Sequence, residues 1–193
     1  MNRHRVAVVL LHHPVTNRLG TLTTTAVTNM DIHDLSRTCR TYEVDHFFLV
    51  SPLQGQEGVV DRILDYWGSD QAKEWHPDRA EALGRTRFLT DFDSVRQELT
   101  KIYPGVRLEV AMPDARPLGG QVGYAETRIE WSLEAPGVKV IVLGTGWGIA
   151  PEFHAQVDRF LGPIYGPKGR DGYNHLSVRA AGAVILDRLF GVP

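Results

Sequence analysis

The sequence predicts an α/β protein with a mainly parallel sheet and helices on both faces. Three short runs are almost wholly apolar and lack the polar alternation of a sheet that has one face in water. Segments with apolar residues at helical spacing separate these runs. Strands that alternate with helices are joined by right-handed crossovers, so this order favours a parallel sheet. The three runs are residues 6–11, 46–50 and 138–143.

Weaker signals extend this pattern. A fourth strand is predicted at residues 106–112, with shorter ones at residues 86–89 and 159–161. The terminal helix has the clearest apolar stripe, and Asn174 or Ser177 could cap its start. Helical spacing covers residues 32–42, 59–67, 95–103, 124–133 and 177–190.

The composition fits one ordinary domain over residues 1–193, with 42% hydrophobic and 23% charged residues. The first apolar run is too short to span a membrane, and no small-residue cleavage site follows it. We therefore expect a cytoplasmic protein without a membrane anchor. The single cysteine, Cys39, cannot form an internal disulfide and lacks a zinc-ligand pattern. We expect a buried thiol and no metal.

The formal net charge of −2 argues against binding nucleic acid by bulk electrostatic attraction. Local basic clusters can still contact phosphates on an otherwise acidic surface. Arg37 with Arg40 forms one such cluster, and Lys168 with Arg170 forms another.

A glycine-rich loop follows the strand at residues 138–143. Gly144, Gly146 and Gly148 would let a ligand approach the backbone closely, and ligands of open α/β sheets bind past the carboxyl ends of strands. A dinucleotide fingerprint would need a third glycine where Ile149 stands. A tight structural turn is the alternative explanation. If the ligand explanation holds, Gly146→Val should weaken ligand binding in a protein that still folds.

A second polar segment begins the helix at residues 32–42. Helical spacing places His33, Arg37 and Arg40 near one face, with Asp31 near the N-terminal end. Arginine can hold a phosphate through paired donors, although a solvated polar face is the commoner fate of such charges. A third polar segment, residues 171–181, runs from a glycine- and proline-rich loop into the terminal helix, where a helix start can receive a ligand.

Together these segments resemble the SPOUT methyltransferases, and most closely small bacterial proteins that consist of the SPOUT fold alone. The resemblance covers nearly the whole chain. Four strings carry it: His13-Pro14-Val15 with Asn17-Arg18; Asn29 with Asp31-Ile32-His33-Asp34, Ser36-Arg37-Thr38 and Arg40-Thr41-Tyr42; Leu143-Gly144-Thr145-Gly146-Trp147-Gly148; and Asn174-His175-Leu176-Ser177-Val178-Arg179-Ala180-Ala181 with Asp187-Arg188-Leu189.

The resemblance implies a C-terminal trefoil knot that binds S-adenosylmethionine, an RNA substrate (tRNA or rRNA), and a homodimer that builds the acceptor site across two chains. The contacts of that dimer would be made by the terminal helix and the helix at residues 32–42. Asn29, Arg40 and Arg18 would contact the substrate. The implied cofactor residues are Ala111, Met112, Leu143, Gly144, Thr145, Gly146, Gly148, Ile149, Leu161 and Ile164, with Asn174, His175, Leu176 and Ser177 closing the pocket.

The resemblance also assigns Arg37 to positioning or activating the acceptor. Asp31, His33 and Asp171 are the candidate bases, and their order is left open. Asp31 stands where ribose-methylating relatives carry an asparagine, and His175 likewise replaces an asparagine. The glycine loop of those ribose-methylating relatives also carries a glutamate, which the glycine loop of this chain lacks. Guanine-methylating relatives place an aspartate in the loop before the final helix, where Asp171 lies. The sequence thus leaves open whether the acceptor is a base or a ribose.

Two other functions remain as alternatives. A flavodoxin-like enzyme acting on a nucleotide or small molecule would explain the α/β pattern and the acidic balance, but not the polar segment before the terminal helix. A catalytically silent RNA-binding protein would need no intact cofactor pocket.

Overall fold

A six-stranded sheet forms the centre of the molecule in the computed structural model, which describes residues 3–167 and 173–192. In chain order the elements are β1 (Arg5–Leu11), β2 (Val15–Thr16), β3 (Leu22–Thr23), α1 (Asn29–Thr41), β4 (His46–Val50), α2 (Gln54–Gly68), α3 (Asp70–Trp75), α4 (Pro77–Leu83), β5 (Thr86–Leu89), α5 (Phe92–Ile102), β6 (Leu108–Pro113), α6 (Tyr124–Leu133), β7 (Val138–Gly144), a 3₁₀ helix (Pro151–Gln156), β8 (Arg159–Leu161) and α7 (Val178–Phe190).

The strands of this sheet run parallel, in the order β5-β4-β1-β7-β6-β8. The central strand β1 lies between β4 and β7, with Val8 opposite both Phe47 and Ile141. Val6 and every later residue of β1 are buried, as expected for a strand covered on both faces. The predicted parallel sheet is confirmed. A separate antiparallel pair, β2 and β3, forms a small hairpin.

Helices cover both faces of the sheet, as predicted. On one face, Val8 and Leu10 belong to a core cluster with residues of α1, α2, α4, α6 and α7. On the other face, Val9 and Leu11 pack in a second cluster with α5 and the 3₁₀ helix. Because side chains alternate along a strand, β1 feeds both clusters. Within the described ranges, no helix has the length and apolarity needed to cross a bilayer.

Most predicted elements form close to their expected bounds, including the two short edge strands. The strand predicted from residue 106 begins at Leu108, and α2 begins five residues before its predicted start. Sequence periodicity missed α3 and α4, which are too short to show an apolar repeat. Local signals still start them: the Ser69 side chain accepts a hydrogen bond from the Ala72 amide, and Pro77 opens α4.

Helix α1 lies between α4 and α7. Helices α1 and α7 run side by side in the same direction: Asp31 contacts Arg179 at their starts, and Tyr42 donates a hydrogen bond to Asp187 at their ends. They approach closely where a Cβ on Gly182 would lie 2.9 Å from Leu35 Cδ2. Much of the predicted dimer surface on these helices is therefore used within the chain.

Helix α1 also buries the single cysteine. Cys39 is 2% exposed, and burial raises the pKa of its thiol. The predicted buried thiol is confirmed.

Candidate functional site

The carboxyl ends of β7, β6 and β8 lie side by side at one edge of the sheet. Ala111 pairs with both Ile141 and Arg159, and Pro113 pairs with Leu161. The segments that follow these strands therefore leave the sheet next to one another. This placement brings together the predicted cofactor residues at the three strand ends: Ala111, Met112, Leu143 and Leu161.

The glycine loop after β7 is held against the segment that contains β2. The Thr16 amide donates to the Gly148 carbonyl at 2.9 Å, and the Trp147 amide donates to the Thr16 carbonyl at the same distance. Val15 also bridges to Ile149, a predicted cofactor residue that is buried. The loop thus has a fixed position at the strand ends.

Two of the glycines are required by the protein's own packing. A Cβ on Gly144 would lie 2.4 Å from Ile149 Cγ1, and one on Gly146 would lie 2.8 Å from the Thr16 carbonyl oxygen. Gly146 and Gly148 also have positive φ angles, of 61° and 107°. The structural-turn explanation therefore applies to Gly144 and Gly146. At Gly148 the nearest atom to such a Cβ belongs to the flexible side chain of Arg116, at 3.0 Å.

The segment after β6 folds back over the glycine loop. Arg116 makes a two-pronged ion pair with Asp114, with Nε–Oδ1 and Nη2–Oδ2 distances of 3.0 and 2.8 Å. Gln121 donates to the Leu161 carbonyl at 3.2 Å and so ties this segment to the end of β8. The segment forms one wall beside the strand ends.

Residues 173–177 approach the same region from α7. Asn174 donates from Nδ2 to the Ala115 carbonyl at 2.8 Å, which joins this segment to the wall after β6. The Ser177 side chain accepts from the Ala180 amide and caps α7, so Ser177 is the cap of the two candidates that the sequence offered. Leu176 is 46% exposed, His175 is exposed, and Ile164 packs half-buried against the core. Asp171, Lys168 and Arg170 lie outside the described residues.

Asp31 is buried at the start of α1 and already has hydrogen-bond donors on both oxygens. Its Oδ2 accepts from the Thr28 amide and hydroxyl in a capping box, and its Oδ1 accepts from Arg179 at 3.1 Å. Asn29, at the first helical position, is exposed. Through these hydrogen bonds, Asp31 joins the start of α1 to α7.

His33, Arg37 and Arg40 lie on the side of α1 that faces α2 and α4. The His33 ring meets Trp67 edge-on at 5.4 Å, and Arg40 pairs with Glu81 at 2.7 Å. Arg37 is exposed and lines a cavity beside the α3–α4 turn. The predicted shared face of these three residues is present, whereas Asp31 points to α7.

The pKa of His33 is lowered from its usual value. Burial is the largest cause, and the positive charges of Arg79 and Arg37 add to it, while Asp34 acts in the opposite direction. The neutral imidazole is therefore favoured, and in that form a ring nitrogen can accept a proton.

Arg18 is exposed at the turn between β2 and β3. The turn is built by Asn17, whose side-chain oxygen accepts from the amides of Leu19 and Thr21 at 2.9 and 3.0 Å. Because β2 holds the glycine loop, this turn lies on the same part of the molecule as that loop.

Sequence reasoning missed a partly buried chain of polar side chains that ends at the glycine loop. Thr145 donates to the Leu11 carbonyl at 3.1 Å, so its oxygen accepts from the Thr25 hydroxyl, which in turn accepts from Nδ1 of His12. His12 is fully buried. Its position directly after a strand was the signal that could have revealed it.

The other ring nitrogen of His12, Nε2, is buried without a partner among the described residues. Burial lowers the pKa of His12 to about 4, although the nearby charge of Asp31 acts to raise it. His12 is thus neutral and supports the loop. No group of three or more potential metal ligands is found in the part of the chain that the structure describes.

Comparison with known proteins identifies the family. A sequence model described as SAM-dependent RNA methyltransferase matches residues 5–191. An uncharacterized protein of Aquifex aeolicus is 36% identical over 190 residues, which cover 98% of this chain and 90% of that protein. A tRNA (guanine-N(1)-)-methyltransferase of Nitratidesulfovibrio vulgaris is 36% identical over 182 residues, which cover 94% of this chain and 41% of that enzyme. The chain thus spans less than half the length of the second relative.

The solved structure of the SpoU methyltransferase AviRb from Streptomyces viridochromogenes, in complex with the cofactor AdoMet, has a TM-score of 0.56 and 9% sequence identity. The similarity covers 98% of this chain and 58% of that one. At this identity the similarity shows the fold alone, which is the SPOUT methyltransferase fold expected from the sequence. Because the family match extends from β1 through α7, this chain belongs to the SAM-dependent RNA methyltransferases.

Proposed function

We propose that S-adenosylmethionine binds between the loops that follow β6, β7 and β8, with residues 173–177 closing the site. The observation that supports this placement most is the hydrogen bond from Asn174 to the Ala115 carbonyl, because it joins the start of α7 to the wall beside the strand ends. The cofactor residues taken from the resemblance then lie around one region, although they are dispersed along the sequence. The expected trefoil knot would belong to this part of the chain.

The residues present fit the chemistry of that cofactor. An adenine needs apolar contacts on its faces and backbone groups at its edge. The exposed side chain of Leu176 and the half-buried Ile164 offer apolar surface. Gly148 lies beside the side chains of Arg116 and Asp114, so the absence of its own side chain leaves room next to the glycine loop. The cofactor, when bound, supplies an electrophilic methyl carbon.

We propose that this chain methylates a base of tRNA. The support is the relative named tRNA (guanine-N(1)-)-methyltransferase, together with Asp31 in place of the asparagine of ribose-methylating relatives. Transfer to a ring nitrogen forms a nitrogen–carbon bond, breaks a carbon–sulfur bond and releases the nitrogen's proton to a base. Among the described candidates, His33 suits this role better than Asp31, because its neutral form is favoured and both oxygens of Asp31 are engaged. Arg37 would position the acceptor beside it.

The acceptor site is proposed to form across a homodimer. Within one chain, Arg37 lies on the α4 side of α1, whereas Asn174 and Ser177 lie at the start of α7 on the opposite side. A second chain could bring Arg37 to the cofactor loops of the first. Residues 1–193 would form one domain, because both hydrophobic clusters share one sheet. A cytoplasmic location would follow from the RNA substrate.

Calorimetric titration with S-adenosylmethionine tests the cofactor site. Wild-type protein should bind one equivalent per chain. Leu176→Asp should weaken binding at least tenfold, while Leu133→Asp, at an exposed position on α6, should bind as the wild type does. Equal affinity of both variants would remove residues 173–177 from the site. Nucleoside mass spectrometry of tRNA treated with the enzyme would identify the methylated base, and a 2′-O-methylated product would contradict base methylation.

A further inference from the structure

A cavity of about 290 Å³ lies beside the turn between α3 and α4. Its lining residues include Arg37, Arg79 and Trp75. Neither arginine takes part in an ion pair within residues 3–167 and 173–192. Both positive charges are therefore available to an anion at this cavity, and arginine donors are well suited to a phosphate.

The aromatic part of this cavity is built on two tryptophans with different roles. Trp67 of α2 is half-buried, and the guanidinium carbon of Arg79 lies 5.1 Å from its ring centroid. The His76 ring also packs on Trp67, at 6.0 Å. Trp75, by contrast, is 64% exposed at the end of α3. Trp67 therefore orders the Arg79 side chain, while most of the Trp75 side chain is accessible to a ligand.

The local charge is positive on a chain whose formal net charge is −2. Asp78 also lines the cavity and offsets one of the two guanidiniums. The remaining positive charge, next to an exposed indole, matches a ligand that carries both an anion and a flat ring. Unstacked bases of single-stranded RNA stack on aromatic side chains while arginine contacts the adjacent phosphate.

We propose that Arg37, Trp75 and Arg79, together called the Trp75 surface, bind a single-stranded segment of the RNA substrate. One base stacks on Trp75, and the neighbouring phosphate lies between the guanidiniums of Arg37 and Arg79. The inference rests on the proposed function, since it takes RNA as the partner. It adds an RNA contact on α3 and α4, helices to which the resemblance to SPOUT methyltransferases gives no role. It also explains why these helices carry an exposed tryptophan that the core does not need.

Fluorescence anisotropy with a labelled oligoribonucleotide of ten adenosines, and with unfractionated bacterial tRNA, measures this contact. Trp75→Ala should weaken binding of both probes between roughly fivefold and a hundredfold, the range expected for one stacked base. Trp75→Phe should recover most of the loss. Arg79→Ala should weaken binding and reduce the slope of log affinity against log salt by about 0.7. Asp78→Asn should strengthen binding, because it removes the opposing charge.

Two matched controls lie elsewhere on the chain. Leu133→Ala removes an exposed apolar side chain at the end of α6, and Arg107→Ala removes an exposed arginine just before β6. Both should bind the probes as the wild type does. Circular dichroism, melting temperature and calorimetric affinity for S-adenosylmethionine establish that each variant is folded with its cofactor site intact.

Wild-type RNA affinity in folded Trp75→Ala and Arg79→Ala variants would overturn the inference and leave the proposed function standing. A wild-type protein that binds cofactor but transfers no methyl group to RNA would instead overturn the proposed function, while the oligonucleotide titrations would still test the Trp75 surface. A drop in molar mass of Trp75→Ala by light scattering, with unchanged RNA affinity, would show that this surface joins two chains and would also overturn the inference.

Discussion

Arg179 of α7 donates a hydrogen bond to the buried carboxylate of Asp31 in α1, with an Nη1–Oδ1 distance of 3.1 Å. The contact fixes the start of α7, which directly follows the proposed cofactor residues, against the start of α1. Asp31 also completes the capping box with Thr28. The Asp31 carboxylate thus stabilises both the start of α1 and the packing of α1 against α7.

Asp31→Ala should lower the free energy of unfolding by roughly 2–4 kcal/mol, because it removes the Asp31 half of the capping box and leaves the Arg179 charge without its buried partner. Urea denaturation measures this loss. Asp34→Ala is the control, since Asp34 contacts the same guanidinium from a position that is 55% exposed and should cost under about 1 kcal/mol. Equal losses in the two variants would contradict a special role of the buried carboxylate.

Arg37→Ala should leave affinity for S-adenosylmethionine and the melting temperature nearly unchanged, because Arg37 makes no ion pair within the described residues. Methyl transfer should fall roughly a hundredfold or more, the scale of a lost positioning contact. Arg107→Ala is the matched control and should retain activity. Wild-type transfer rates of Arg37→Ala on bulk cellular RNA would remove Arg37 from the acceptor site.

Mixing two inactive variants tests whether the acceptor site is shared between chains. Arg37→Ala lacks the positioning residue and Leu176→Asp lacks the cofactor contact. If the two residues act across a dimer, half of the randomly mixed dimers contain one intact site, which restores roughly a quarter of wild-type activity. If each site lies within one chain, every site carries a lesion and activity stays low. A monomer mass in light scattering, with activity intact, would also contradict the homodimer.

His12 should make stability depend on pH. Burial lowers the pKa of its imidazole from 6.5 to about 4, so the folded protein favours the neutral ring. The resulting stabilisation is present above pH 6.5 and decreases as the pH falls toward about 4. Between pH 7 and pH 5 the wild type should lose roughly 2 kcal/mol through this group. The His12→Gln variant should not show this loss of unfolding free energy between pH 7 and pH 5. Identical pH profiles of stability for the two proteins would refute the assignment of the loss to His12.

Gly146→Val should destabilise the protein as well as weaken cofactor binding, because Gly146 has a φ of 61° and its Cβ would meet the Thr16 carbonyl oxygen. The cost is expected to be at least roughly 1–3 kcal/mol. Gly20→Val is the control, since Gly20 has a similar φ of 75° but open space around it. Thermal unfolding should show a larger loss for Gly146→Val. Equal losses would mean that backbone strain alone decides the effect.

The sequence by itself determined the parallel sheet, the helices on both faces and the strand ends beside the candidate cofactor site. These features follow from local patterns, since an unbroken apolar run or a helical stripe is readable within about ten residues. The buried Cys39 and the choice of Asn174 or Ser177 as the cap of α7 are equally local. The cap is inferred from residues next to it in the chain, and the free thiol is inferred from the absence of a second cysteine.

Only the tertiary structure decided where the polar side chains point. Leu35 of α1 packs against Gly182, a residue distant in sequence, and in this packing Arg37 lies on the α4 side and Asp31 faces Arg179. The link from His12 to Thr145 likewise joins segments far apart in the chain. Side-chain partners depend on how elements pack, and packing depends on non-local contacts that spacing along one segment does not encode.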